Sequence, residues 1–189
     1  MKTLSKLFGS DARLKMLRLF VFNKDIALSL AEVASRTKLK KGIVRRELSE
    51  LLAAGLLRKK GVQTPTRYQT NPHFEYLDAL DLFIRETTSV HPQNITKTLK
   101  RAGTLRLVAL SGLFTGILET QIDLLIVGDR LEERTLASAV HSLEAELGRE
   151  IRYASFATAD FRYRLGVYDR LIRDVFDYPH RLLIDKIGL

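Results

Sequence analysis

Between Ser29 and Pro72 the hydrophobic pattern changes period once, and that change restricts what the segment can become. In "SLAEVASRTK" the apolar Leu30, Val33 and Ala34 recur at helical spacing, with Ser29 as N-cap and Glu32 as its capping-box partner. "KKGIVRRELSELLAAGLL" keeps the same period through Val44, Leu48 and Leu51 or Leu52, and Gly55 ends it. Beyond Gly55, "LLRKKGVQTPTRYQTNP" reads as an apolar-to-basic strand, a turn rich in Gly, Thr and Pro, and a returning "RYQT" strand. Upstream, "DARLKMLRLFVF" places Leu14, Leu17, Phe20 and Val21 on one helical face behind a Ser10 cap. Three helices and a two-stranded hairpin are expected.

The same region carries the charge. Through Pro72 there are sixteen Lys and Arg against five Asp and Glu, a balance of +11; from His73 onward there are fifteen against seventeen, a balance of −2. Positive charge confined to the first third is the electrostatic footprint of a nucleic-acid-binding module joined to something else. The plainer reading is a solvated face kept for solubility. Cysteine is absent, which excludes disulfides and thiolate metal sites, and His73, His91, His141 and His180 are too scattered to suggest a ligand set. Neither a metal nor another cofactor is expected. No uncharged apolar run approaches a membrane span or a signal-peptide core, so a cytoplasmic protein without a membrane partner is expected.

The run "LAEVASRTKLKKGIVRRELSELLAAGLLRKKG...TRYQTNP" resembles the winged helix-turn-helix of ArsR- and MarR-type bacterial and archaeal repressors. The resemblance implies that the third helix is a recognition helix and the hairpin a wing. Lys40 and Lys41 open that helix, Gly42 and Ile43 are small or apolar enough to approach bases, and Arg45 and Arg46 face the groove. Lys38, Lys40 and Lys41 are expected to neutralise phosphate, and Arg46 is the first candidate for a base contact. In the wing, Arg58, Lys59, Lys60 and Arg67 are placed to straddle a backbone or enter the minor groove. Many winged helices serve as protein–protein modules instead, but interface cores are depleted in charge. Without an aromatic platform among these basic residues, double-stranded DNA is the expected partner.

"HFEYLDALDLFIRETTS", residues 73–89, spaces Phe74, Leu77, Leu80, Leu82 and Ile84 for an amphipathic connector helix. In the resembled repressors the helix after the wing packs against its symmetry mate, which implies a homodimer with Leu77, Leu80 and Ile84 in the seam. Packing on its own chain is the other reading. A break at Pro92 precedes a new helix, "ITKTLKRAG".

Then come a buried strand "LRLVAL", a turn at Ser111-Gly112, and a second strand "IDLLIV". A helix "LEERTLASAVHSLEAELG" stopped by Gly148 follows, then a third strand "EIRYASF". A last long helix over "TADFRYRLGVYDRLIRDVFDYP" is expected to be capped by Thr158. With "SG...IDLLIVGD" this order resembles the minimal nucleotidyltransferases of the DNA polymerase beta superfamily, including the kind found in small antitoxin proteins. The resemblance implies an active site that this chain only partly keeps. Where the family has a Gly-Ser pair for the nucleotide phosphates, Gly112-Leu113 lacks the hydroxyl. Where it has two acids one residue apart for the metals, Gln121 replaces the first and only Asp123 remains. The third acid's position is matched by Arg152, which would repel a metal and pair with Asp123.

The expected fold class is α+β. It comprises a winged helix-turn-helix at 1–72, a connector helix at 73–90 and a small α/β nucleotidyltransferase-like domain at 91–189. The expected function is a transcriptional regulator whose second domain is a pseudoenzyme, with an anionic or nucleotide effector as a further partner beside Arg152. An active nucleotidyltransferase and an antitoxin-like interaction protein are the alternatives.

Overall fold

The computed structural model describes residues 2–61, 64–88, 90–116 and 119–189. The chain is α+β and divides into two compact units, residues 1–90 with 142–149, and residues 91–141 with 150–189. Among the described residues no helix is long and apolar enough to cross a membrane.

The first unit contains helices α1 (Lys2–Leu7), α2 (Asp11–Phe22), α3 (Leu30–Thr37), α4 (Lys41–Ala53) and α5 (Leu77–Thr87). Strands β1 (Leu28–Ser29), β2 (Leu57–Lys60) and β3 (Arg67–Thr70) form an antiparallel sheet in the order β1-β3-β2. Ser10 caps α2 by accepting from the Arg13 N–H at 3.0 Å. At α3 the full capping box forms, with Ser29 Oγ accepting from Glu32 N–H and the Glu32 carboxylate from Ser29 N–H. Helix α2 is buried on more than one face, since Met16 and Leu19 join Leu14, Leu17, Phe20 and Val21 in the core. Val33, Val44, Leu48 and Leu51 close around it, while Leu52 is only half-buried. β1 is too short to give the alternation that marks a strand.

The connector differs from expectation. It becomes helical only at Leu77, and Leu82 is 62% exposed, whereas Leu77 and Ile84 are buried in the unit's own core with Leu80 packed partly against them. The seam expected at Leu77, Leu80 and Ile84 is therefore used internally. Residues 142–149 also belong to this unit: Arg18 Nη1 donates to the Glu146 carbonyl at 2.8 Å, and Asn23 Nδ2 to the Gly148 carbonyl at 2.8 Å.

The second unit is built on a mixed sheet of β4 (Thr104–Leu110), β5 (Leu124–Asp129), β6 (Tyr153–Phe156) and β7 (Arg181–Asp185), in the order β6-β5-β4-β7. β5 and β6 are parallel; the other pairs are antiparallel. Leu107, Ala109, Leu125 and Val127 face a core with Phe161, Ile172 and Val175, and the alternating Val108, Leu124 and Ile126 are buried as well. Burial on both faces explains the unbroken apolar runs. Helix α6 (Pro92–Leu99) begins on Pro92 instead of after it, because proline at the first helical position lacks only an N–H that would have no helical partner. Helix α7 (Glu133–Leu147) ends before Gly148.

The expected last helix is two, α8 (Thr158–Gly166) and α9 (Arg170–Asp177). Tyr168 adopts φ +56° between them, and Asp169 caps α9 by accepting from the Leu171 and Ile172 N–H groups. Thr158 is not a cap: Ala157 holds that position, and the Thr158 hydroxyl donates to Asp129 Oδ1 at 2.6 Å.

Because Ile84 is wholly buried in the first unit, Ile84→Ala should lower stability by about 2–5 kcal/mol through lost contacts and the cavity left behind. Urea unfolding checks this; a loss below about 1 kcal/mol would mean that α5 packs loosely there.

Candidate functional site

Two surfaces hold the residues singled out by sequence, one in each unit. In the first, α4 presents Lys41, Gly42, Arg45 and Arg46 to solvent, with Lys40 exposed at its N-cap. Ile43 is half-buried, and Val44 and Leu48 are buried beneath. The spacing does this: residues 41 and 45, and 42 and 46, stack along one side of the helix, opposite the apolar stripe. Glu47 lies only 2% exposed under this surface, where Arg13 Nε donates to it at 2.8 Å and Arg46 Nη2 approaches it at 3.5 Å. Arg46 thus forms an ion pair with Glu47 while its side chain stays 69% exposed. On the hairpin, Arg58, Lys59 and Lys60 are all exposed, and Arg58 leans on Gln69 Oε1 at 3.3 Å.

Two of the expected cations have other engagements. Arg67 donates to the Ala27 carbonyl at 2.7 Å and lies 3.4 Å from Glu32, so it ties β3 to the segment before α3. Lys38 takes the left-handed position that ends α3, with φ +55°, and its ammonium donates to Ser142 Oγ at 2.8 Å.

In the second unit, Asp123 sits immediately before β5 and is 2% exposed. Both of its oxygens are engaged. Oδ1 accepts from the Leu113 N–H at 2.8 Å and from Arg152 Nη2 at 2.7 Å; Oδ2 accepts from the Arg152 N–H at 2.9 Å and Nε at 3.1 Å. The turn at Gly112 closes tightly on this carboxylate. Its φ is +46°, and a Cβ there would fall 2.2 Å from Asp123 Oδ1, so no other residue fits without displacing the acid. Burial pushes the Asp123 carboxyl up, but the hydrogen bonds from Arg152 and the two backbone N–H groups outweigh it and hold the pKa below the ordinary carboxylate value. The Arg152 guanidinium is shifted up in turn, chiefly by its bond to Asp123.

Gln121 is exposed, and its backbone N–H donates to Asp174 Oδ2 at 2.6 Å. Asp174, on α9, went unnoticed in the sequence because the helix carrying it reads as one with α8. Its charge also helps hold Arg152 protonated. Gln121 borders a cavity of about 530 Å³ in which Arg170 and Arg173 are balanced by Asp174 and Asp177. Among the described residues no three His, Cys, Asp or Glu are grouped to hold a metal ion.

Comparison with known proteins finds no protein-family model and no curated protein that matches this chain.

Removing the Asp123 charge should be costly. Asp123→Asn is expected to lose about 2–4 kcal/mol at pH 7, because a buried acceptor set for four donors is disrupted. Since the folded-state pKa is depressed, the charged form's contribution is fully present above the unfolded value of about 3.9 and disappears as pH falls through the folded value. The stability gap between wild type and Asp123→Asn in urea unfolding should hold from pH 7 to about pH 5 and shrink below about pH 4. A gap unchanged at pH 3 would contradict an ionised Asp123.

Proposed function

We propose that this protein is a cytoplasmic, DNA-binding transcriptional regulator in which a winged helix-turn-helix reads duplex DNA and a nucleotidyltransferase-like domain has lost catalysis. The observation that carries the reading is the exposed row of Lys40, Lys41, Arg45 and Arg46 on α4, supplemented by Arg58, Lys59 and Lys60 on the β2–β3 hairpin. Helix, helix, helix and hairpin in that order supply the groove-filling element and the wing. Flexible lysines suit phosphate oxygens, while the exposed Arg46, beside Glu47, carries the planar fork that suits a bidentate contact to a base. Arg67 and Lys38, engaged elsewhere, are left out of the contact set.

The pseudoenzyme half of the proposal rests on Asp123. Metal-assisted nucleotidyl transfer needs carboxylate lone pairs directed at Mg²⁺, and here Arg152 and two backbone N–H groups take them. The Leu113 N–H belongs to the turn that, in the resembled family, receives nucleotide phosphates; in this chain it donates to the protein's own carboxylate. Arg152 being committed, an anionic effector finds little uncommitted charge there. For the homodimer, the outward side of α5 replaces the seam first expected: Ala79, Leu82 and Phe83 are exposed at helical spacing.

Binding to duplex DNA should fall on the order of a thousandfold or more between about 50 and 200 mM salt if a dimer makes about six to ten phosphate contacts. Selection from random duplexes should return a palindrome. Arg46→Ala should cost about 1–3 kcal/mol at one base position, whereas Lys59→Ala should weaken all sequences alike. A salt-independent affinity, or identical effects of both variants, would remove the basis of the reading.

Restoring the missing acid should not restore an enzyme. Gln121→Asp is expected to transfer no nucleotide from any labelled triphosphate with Mg²⁺ or Mn²⁺, because Arg152 still occupies Asp123 and groups acting as a unit recover little from one repair. Transfer by the unaltered chain, abolished by Asp123→Ala, would favour the enzyme instead.

A further inference from the structure

At the end of the β4–β5 hairpin opposite Asp123, a second set of cations is held together by backbone. Thr104 pairs with Asp129 at this end, and Leu110 with Leu124 at the other. Arg101 lies in the 3-10 turn Lys100–Ala102 before β4, and Arg134 in the first turn of α7. The Glu132 N–H donates to the Ala102 carbonyl at 2.8 Å. Gly103 is pressed so closely against Arg130 that a Cβ would lie 2.6 Å from the Arg130 carbonyl oxygen. These contacts fix the two segments side by side, and Arg101 and Arg134 come to line one cavity of about 300 Å³ with Thr98, Thr135, Ser138 and Ala139.

The lining is rich in donors and contains no carboxylate. Arg106, Arg152, Arg164 and Arg173 of the same unit each bond an aspartate, whereas neither the Arg101 nor the Arg134 guanidinium has a partner among the described residues. Glu132 is the nearby acid, but its oxygens accept from the Arg134 and Thr135 N–H groups and the Thr135 hydroxyl. It caps the start of α7, so the cavity owes its character to side chains and not to the helix end. The cavity beside Gln121, with its arginines balanced by aspartates, offers no such excess.

We infer that the cavity between α6 and the start of α7 binds the phosphate group of a small phosphate monoester. Two guanidiniums present planar forks from two separate segments, and a third donor comes from the Thr98 hydroxyl. A carboxylate has one charge and two oxygens in one plane, too few for that set. A phosphate monoester carries nearly two negative charges near pH 7 and three terminal oxygens in a tetrahedral array, matching two forks and a hydroxyl. The volume lies at the lower limit for small-molecule sites, which admits a phosphate with a sugar-sized substituent. This inference does not depend on the DNA-binding reading.

The test is calorimetric titration of the full-length protein with inorganic phosphate and with ribose 5-phosphate, at constant ionic strength. Saturable binding with one site per chain is expected, weakened at least tenfold by Arg101→Gln and by Arg134→Gln. Both side chains are exposed, so circular dichroism and the unliganded melting temperature should not change. Arg162→Gln, an exposed cation outside the cavity, should bind as wild type does. Arg134→Lys keeps the charge but loses the fork, and severalfold weakening is expected even if the glutamine variants fold poorly. Non-saturating heats, equal weakening by Arg162→Gln, or an effect of Arg101→Gln and Arg134→Gln on DNA affinity alone would overturn the inference.

Discussion

Four N–H donors converge on the Asp123 carboxylate, and the geometry of the second unit around it follows from satisfying that one buried charge. The acid joins three stretches distant in sequence: the turn at Gly112 and Leu113, the entry to β5, and the residue before β6. A buried carboxylate without partners would be strongly destabilising, so these segments are specified together. Leu113 and Arg152 supply all four donors, so the charge is satisfied within the fold itself.

The basic surface of the first unit is governed differently. Its cations lie on a helix whose opposite side is fixed by Val44 and Leu48, so their positions are set by the core although they touch little themselves. Glu47 is the exception, a buried acid drawing Arg13 and Arg46 toward one point. A fully mobile arginine pays rotamer entropy whenever it is ordered on a ligand; one already steadied pays less.

How much could be read beforehand depended on whether the signal was local. The capping box at Ser29 and Glu32 and the stop at Gly148 needed only neighbours in sequence, and each is present. Leu82 misled because helical spacing alone does not say how wide the buried stripe is: one apolar residue outside it looks like one within. β7 was missed because a five-residue, half-exposed edge strand has no clear alternation and owes its existence to pairing with β4. The break between α8 and α9 did have a local sign, Gly166 followed by Asp169 as cap, which the apolar period running across it obscured. The pairing of Asp123 with Arg152 followed from the resemblance, which sets Arg152 at the third acid's position, but the two backbone donors and Asp174 were not legible, since they depend on tertiary proximity.

The membership of residues 142–149 in the first unit bears on how the chain comes into being on the ribosome. The bonds from Arg18 and Asn23 reach across 128 and 125 residues, to carbonyls that are translated only after β4 and β5. When residue 90 emerges, the basic helices can assemble, and Asn23 Nδ2 can already donate to the Leu19 carbonyl, but the Glu146 and Gly148 carbonyls that Arg18 Nη1 and Asn23 Nδ2 also reach are not yet made. Closing so long a loop is entropically costly and slow compared with the local helix contacts that precede it. The module carrying the charge is thus begun before β4 and β5 and completed only after them, and for that interval Arg18 Nη1 has water in place of the Glu146 carbonyl.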